Sequence, residues 1–105
     1  MKEMAYNLKA NYFKTLGHPT RIKILEFLKD KEKCVCEIVP ALKGKQANIS
    51  QHLMVLKRVG LVVDRKEGLS VFYKVRNKRV FEVLDLISEM LRDYLKGEHK
   101  LSKAL

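Results

Sequence analysis

A chain of 105 residues with a hydrophobic fraction of 47% is long enough for one modest core, which argues against disorder. The formal net charge of +10 points to a polyanionic partner, nucleic acid ahead of an anionic membrane surface. No apolar run approaches the roughly 18 residues that span a bilayer, and the charged N-terminus MKEMAYNLKANYF has no signal-peptide apolar region, so a cytoplasmic protein without a membrane partner is expected.

Residues 3–16 read as a helix, with Met4, Leu8, Tyr12 and Leu16 at four-residue steps and Tyr6 and Phe13 on another face. One stripe can pack on this chain and the second on a partner chain. Gly17 breaks the helix. Pro19 suits the first turn of the next, where its missing amide hydrogen is not needed, and His18 then takes the cap position. A helix over 19–30 turns Ile22, Leu25 and Leu28 inward, with Ile24 and Phe27 widening the buried face. Residues 30–33 read as a solvated connection.

Residues 34–43, CVCEIVPALK, predict a short third helix with Val35, Ile38, Val39 and Leu42 on its core side and Pro40 ending or distorting the last turn. Gly44-Lys45 is the turn into a fourth helix, 46–59. Its residues Ile49, Leu53 and Leu56 form one apolar stripe. The opposite face carries Asn48, Ser50, Gln51, His52, Lys57 and Arg58: amides, a hydroxyl and an imidazole first, then bases. Such side chains can read base edges in a major groove while the cations take phosphates. Two short helices joined by a tight turn containing Gly have the layout of a helix-turn-helix over 34–59.

Gly60 is a plausible C-cap. Residues 61–66 and 69–75 are rich in β-branched and aromatic residues and flank Glu67-Gly68, which predicts a β-hairpin. Between residues 57 and 79 eight bases face two acids, Asp64 and Glu67. A basic hairpin over 61–76, with Arg65 and Lys66 on it, is what a wing needs to lie along a phosphate backbone. Residues 78–96 form a long helix whose apolar residues Val80, Val83, Leu84, Ile87, Met90, Leu91, Tyr94 and Leu95 cover more than half its surface. One small domain cannot cover them all, so a two-fold dimer is the economical arrangement. The tail 97–105 is polar and expected to fray.

The expected fold is therefore mainly α with one β-hairpin (α+β): a winged helix-turn-helix of five helices in a single domain over 1–105. Dimerisation falls to helices 3–16 and 78–96. A sequence-tolerant DNA-coating protein is the competing reading of the charge, but the polar face at 48–52 argues against it, because coating needs no amides there. A small thiol enzyme would need a general base near the cysteines, and none stands nearby in sequence, so no enzymatic activity is expected.

The stretches LGHPTRIKILEFL, CVCEI, ISQHLMVLKRVGLV and RKEGLSVFYKV, in that order, resemble the arsenic-repressor (ArsR/SmtB) family of winged-helix transcription regulators. The resemblance covers about residues 8–95. It implies a homodimeric repressor that binds palindromic double-stranded operator DNA and lets go when a metal or other signal arrives. By position it implies that Gln46, Asn48, Ser50, Gln51 and His52 face bases or nearby phosphates, with Arg65 and Lys66 in the wing.

Cys34 and Cys36 resemble the thiol motif of the arsenic- and soft-metal-sensing members. Cys34 also stands where the third helix needs an N-cap, with Glu37 three later as in a capping box. Serine would cap better, so a further demand is indicated. Lys31 and Lys33 favour the thiolate, a soft ligand for As(III), Cu(I), Cd(II) or Zn(II) as inducer, with no cofactor required at rest. Two residues apart in a regular helix point about 200° from each other, so the sulfurs converge only if Cys34 lies outside the helix. The sensors' further cysteine is replaced by Val39, so one protomer cannot supply three sulfurs. Asp85 has Ile87 two residues later and His99 stands alone, which argues against a zinc site on the last long helix. Metal sensing, thiol redox sensing and two inert small residues all stay open for the pair.

Overall fold

The computed structural model describes residues 1–96 and 99–105. Among them the order is α1 (Lys2–Leu16), α2 (Pro19–Phe27), β1 (Lys33–Cys34), α3 (Val35–Ala41), α4 (Gln46–Arg58), β2 (Val62–Glu67), β3 (Ser70–Val75), α5 (Val80–Tyr94) and α6 (His99–Ala104). The α+β architecture with its hairpin is as expected, with two additions. A two-residue strand β1 makes the hairpin a three-stranded antiparallel sheet of order β1-β3-β2. A sixth helix occupies 99–104 of the tail expected to fray, where Lys, Leu and Ala favour helix; residues 97 and 98 of that tail lie outside the described residues.

The local reasons follow from the sequence. His18 is extended, as a residue before proline must be, and its Nδ1 accepts from the Thr20 amide at 3.2 Å, capping α2. The helix is shorter than expected and stops at Phe27, because the Leu28 amide already reaches back to both Ile24 and Leu25 carbonyls. Its buried face is Ile24, Leu25 and Leu28, whereas Ile22, expected inward, is half-buried. Cys34 caps α3: the Cys36 amide donates to Cys34 Sγ, and the Cys34 amide donates to Glu37 Oε1 at 3.0 Å. Pro40 sits inside α3, which ends one residue later, at Ala41 rather than 43.

In the turn to α4 the left-handed residue is Lys43 (φ 53), not the glycine. Gly44 is needed for space: a Cβ there would meet Ile49 Cδ1 at 3.0 Å. Gly60 (φ 81) ends α4 as expected, with the Leu61 amide donating to the Leu56 carbonyl. The hairpin turn falls one residue later than predicted. Glu67 pairs with Ser70, leaving Gly68 (φ 62) and Leu69 at the tip. β1 joins by pairing Lys33 with Tyr73 and Cys34 with Phe72.

The core lies where α2, α3, α4 and the sheet meet. Ile24, Leu25, Ile38, Leu53 and Leu56 have no exposed surface, and Val62, Tyr73 and Phe81 close the far side. Outside it, α1 and α5 show apolar side chains to solvent: Leu8 and Phe13 at 62% exposure, Leu86 at 58% and Met90 at 70%. No helix among the described residues is long and apolar enough to cross a membrane.

Leu53→Ala should destabilise the chain by about 2–5 kcal/mol, the usual cost of truncating a fully buried leucine. Urea unfolding followed by circular dichroism reads it, and a loss under about 1 kcal/mol would show that α4 is not locked into the core as described.

Candidate nucleic-acid interface

With Ile49, Leu53 and Leu56 buried, α4 must present its remaining residues outward. Gln46, Asn48, Gln51 and Arg58 are exposed, and Ser50 is half-buried. Gln46 and Ser50 border a cavity of about 430 Å³ that runs between α3, α4 and the hairpin and also meets Cys34, Cys36 and Leu69. Asn48 and His52 border a smaller one of about 100 Å³ with Lys23. Lys57 pairs with Asp64 across 3.0 Å, an exposed contact that ties the end of α4 to β2.

Two of the residues expected to face DNA are engaged within the chain. His52 is half-buried and turned toward α2: Arg21 Nε donates to its Nδ1 at 3.2 Å, and its ring centre lies 4.4 Å from that of His18. Arg21 in turn reaches the Thr15 carbonyl, joining α1, α2 and α4. Burial first, then the neighbouring His18 and Arg21, hold the His52 imidazole below its ordinary range. Since Nδ1 accepts, the neutral ring carries its proton on Nε2.

Arg65 is the second. Its Nε donates to both Glu32 oxygens at 3.1 Å, its Nη1 to Glu67 at 2.8 Å, and its guanidinium lies 4.6 Å from the centre of the Phe72 ring. Hydrogen bonds donated to Glu32 and then to Glu67 raise the Arg65 pKa, and accepting from Arg65 lowers that of Glu32. Lys66 is exposed on the same strand. Sequence reasoning treated Glu32 as part of a solvated run and passed over Arg21. The only sequence signal was an acid three residues before the third helix and an arginine in HPTR, neither of which names a partner.

Cys34 and Cys36 are joined by a disulfide, with Cα atoms 5.0 Å apart. Cys34 is buried at 4% exposure and Cys36 is exposed. The sulfurs thus converge with Cys34 in extended conformation outside the helix, as the geometric argument requires. As thiols they would make a two-sulfur donor set; no group of three or more His, Cys, Asp or Glu suited to a metal ion exists among the described residues. The His99 side chain lies outside the described residues.

Residues 18–63 match the family described as "Bacterial regulatory protein, arsR family". An uncharacterized HTH-type transcriptional regulator of Methanocaldococcus jannaschii is 43% identical over 86 residues, 81% of this chain and 97% of that one. The chain belongs to the ArsR/SmtB family. Another ArsR-family relative is the arsenical resistance operon repressor of Escherichia coli, 40% identical over 73 residues, 69% of this chain and 62% of the repressor. The fold agrees with a solved homodimeric winged helix-turn-helix DNA-binding domain from Mycobacterium bovis, with a TM-score of 0.78 and 27% identity across 90% of this chain and 88% of that one. ArsR-family members are DNA-binding transcriptional regulators rather than enzymes, so the chain's chemistry is recognition.

Two outcomes test the assignments of His52 and Arg65. Because the folded state holds His52 neutral, the unfolded chain binds its proton more readily. The stability His52 contributes is therefore complete above about pH 6.5, the ordinary histidine value, and is lost as pH falls below it. The thermal midpoint should decline between about pH 6.5 and 5.5, and His52→Gln should flatten that decline. With Cys34 and Cys36 joined, Glu32→Gln should free Arg65 for phosphate, steepening the log–log salt dependence of duplex binding by about 0.9 per protomer in fluorescence anisotropy. An unchanged slope would mean that Arg65 does not reach DNA even when unpaired.

Proposed function

We propose that the chain acts in the cytoplasm as a single-domain, homodimeric, sequence-specific repressor. Two copies pair through the exposed apolar faces of α1 and α5. Each places α4 in a major groove of a palindromic operator and lays its hairpin along the adjacent backbone. The observation that carries this reading is the division of exposed surface. Apolar side chains without cover lie on α1 and α5, and polar side chains without intramolecular work lie on α4. Asn48 and Gln51 are the base readers, with Gln46 and Ser50 beside them. Arg58 and Lys66 take phosphates. His52 fixes the pose of α4 and offers only Nε2–H to DNA. Two α4 helices must sit about 34 Å apart to meet successive major grooves, so the dimer seam sets specificity as much as the side chains do.

The signal that lifts the repressor is assigned to Cys34 and Cys36. A soft metalloid or metal such as As(III) or Cd(II) fits their donor chemistry, and the name of the Escherichia coli relative favours it. Such an ion would take the two thiolates of one protomer and draw further donors from solvent or from the second protomer. Thiol oxidation is the second reading, favoured by the bond the two sulfurs make in this structure.

Sedimentation should give a dimer, and selection from a random duplex pool should enrich a palindrome. Met90→Glu should yield a folded monomer whose operator affinity falls at least about tenfold, because each half-site is then bound alone. Asn48→Ala and Gln51→Ala should each cost about 1–3 kcal/mol of discrimination between operator and random duplex while leaving the salt slope intact. A wild-type monomer that binds every duplex equally would falsify this reading.

As(III) and Cd(II) should release the wild-type protein from its selected duplex and leave a Cys34→Ser, Cys36→Ser double variant bound. An equal response in both proteins would remove the cysteines from metal sensing.

A further inference from the structure

We propose that Cys34 and Cys36 form a thiol–disulfide modification site that sets how many phosphate contacts the hairpin can make, through Glu32 and Arg65. The inference rests on the operator-binding reading above. Its starting observation is a row across the sheet: Cys34 pairs with Phe72, and Phe72 pairs with Arg65, whose guanidinium covers the Phe72 ring. Glu32, the residue before β1, holds that same guanidinium from the far edge.

The disulfide decides whether this row stays in register. Sulfurs two residues apart can bond only when Cys34 is kept out of α3, in the extended conformation it has here (φ −69, ψ 147). That conformation is also the one in which Cys34 pairs with Phe72 and Glu32 stands opposite Arg65. Without the S–S bond, a two-residue strand, a thiol cap and the Glu37 carboxylate on the Cys34 amide hold it, and sulfur is a weak acceptor. Cys34 can then join the first turn of α3, which draws β1 from β3 and Glu32 from Arg65. The oxidised form therefore keeps Arg65 on Glu32, and the dithiol form leaves it only Glu67, an exposed partner on its own strand that a phosphate can replace.

The exposures of the two sulfurs assign their roles. Cys36 is exposed beside the cavity of about 430 Å³, wide enough for a small hydroperoxide. Cys34 borders the same cavity but is only 4% exposed, so Cys36 is the sulfur a hydroperoxide reaches first. The Cys36 thiolate attacks the hydroperoxide, the O–O bond breaks, and an alcohol leaves after taking up a proton. The Cys34 thiol then attacks the sulfenic sulfur of Cys36, the S–S bond forms, the S–O bond breaks and water leaves. Each thiol loses one electron and one proton overall, the hydroperoxide gains these two electrons and two protons, and a dithiol reductant reverses the change.

The test compares the full-length protein in dithiothreitol with the same protein treated with a small alkyl hydroperoxide. Alkylation and mass measurement should show both thiols free in the first and joined in the second. Amide hydrogen exchange at 33–34 and 72–73 should be slower in the oxidised protein. On a duplex selected by the reduced protein, oxidation should weaken binding at least about fivefold. It should also flatten the log–log salt slope by about 0.9 per protomer. Glu32→Gln should abolish the change in slope, and Cys36→Ser the response to hydroperoxide. Failure of the disulfide to form, equal exchange in the two forms, or equal salt slopes would each overturn the proposal. If the reduced protein selects no sequence, the repressor reading falls, and the exchange comparison still decides the switch by itself.

Discussion

The rotation of α4 about its own axis is the constraint on which the rest of this structure depends. Ile49, Leu53 and Leu56 are buried in one cluster with Ile24 and Leu25 of α2, Leu28 just past its end and Val62 of the sheet, and burying each such side chain favours the fold by about 1.5–3 kcal/mol. A shift of one residue along α4 would turn the helix by about 100° and take three large apolar groups into water. The outward direction of Asn48 and Gln51 is therefore a by-product of core packing. Arg21 adds a polar lock by holding His52 to α2 and reaching the last turn of α1. The exposed face of α4 is fixed by the core behind it, which would keep the cost of ordering it on binding low.

The hairpin is held differently. Its root is packed through Val62, Tyr73 and Val75, but its position beyond Arg65 rests on exposed ion pairs with Glu32 and Glu67 and on one cation–ring contact. Exposed pairs of this kind contribute little to stability. They can exchange for phosphate contacts at little cost, whereas α4 cannot change its pose without unpacking the core. They also show why charge counts mislead. The hairpin segment is rich in bases, yet Arg65 is answered by two carboxylates and Lys57 by Asp64.

This difference marks what could be read from sequence. The α4 stripe, the Gly60 cap, the His18-Pro19 start and the hairpin are written in neighbouring residues through a helical period, a left-handed position or a turn, and all appear where expected within a few residues. β1 could not be read, because a two-residue strand has no periodicity and its partner, β3, lies far along the chain. The commitments of Arg65 to Glu32 and of His52 to Arg21 span separations of 33 and 31 residues, so both side chains looked free on paper. The family resemblance supplied the layout of the interface, but these internal ties belong to this chain's own side chains.

Cys34 is where the rigid and the adjustable parts meet. It is the last residue of β1, the cap of α3 and one half of the disulfide. A helix of seven residues with a proline near its end has little stability of its own, so the conformation of its first turn is governed by the cap. A serine would hold that cap more firmly and could never be released. A sulfur holds it less firmly by itself, but its bond to Cys36 can be made and broken by chemistry that leaves every other residue untouched. Because α3 packs against α4 on one side and continues from the sheet edge on the other, a change at this one sulfur is felt by the hairpin before it is felt by the core. That ordering follows from the energies: the hairpin's exposed ties are weak, and the packing of Ile38 against α4 is not.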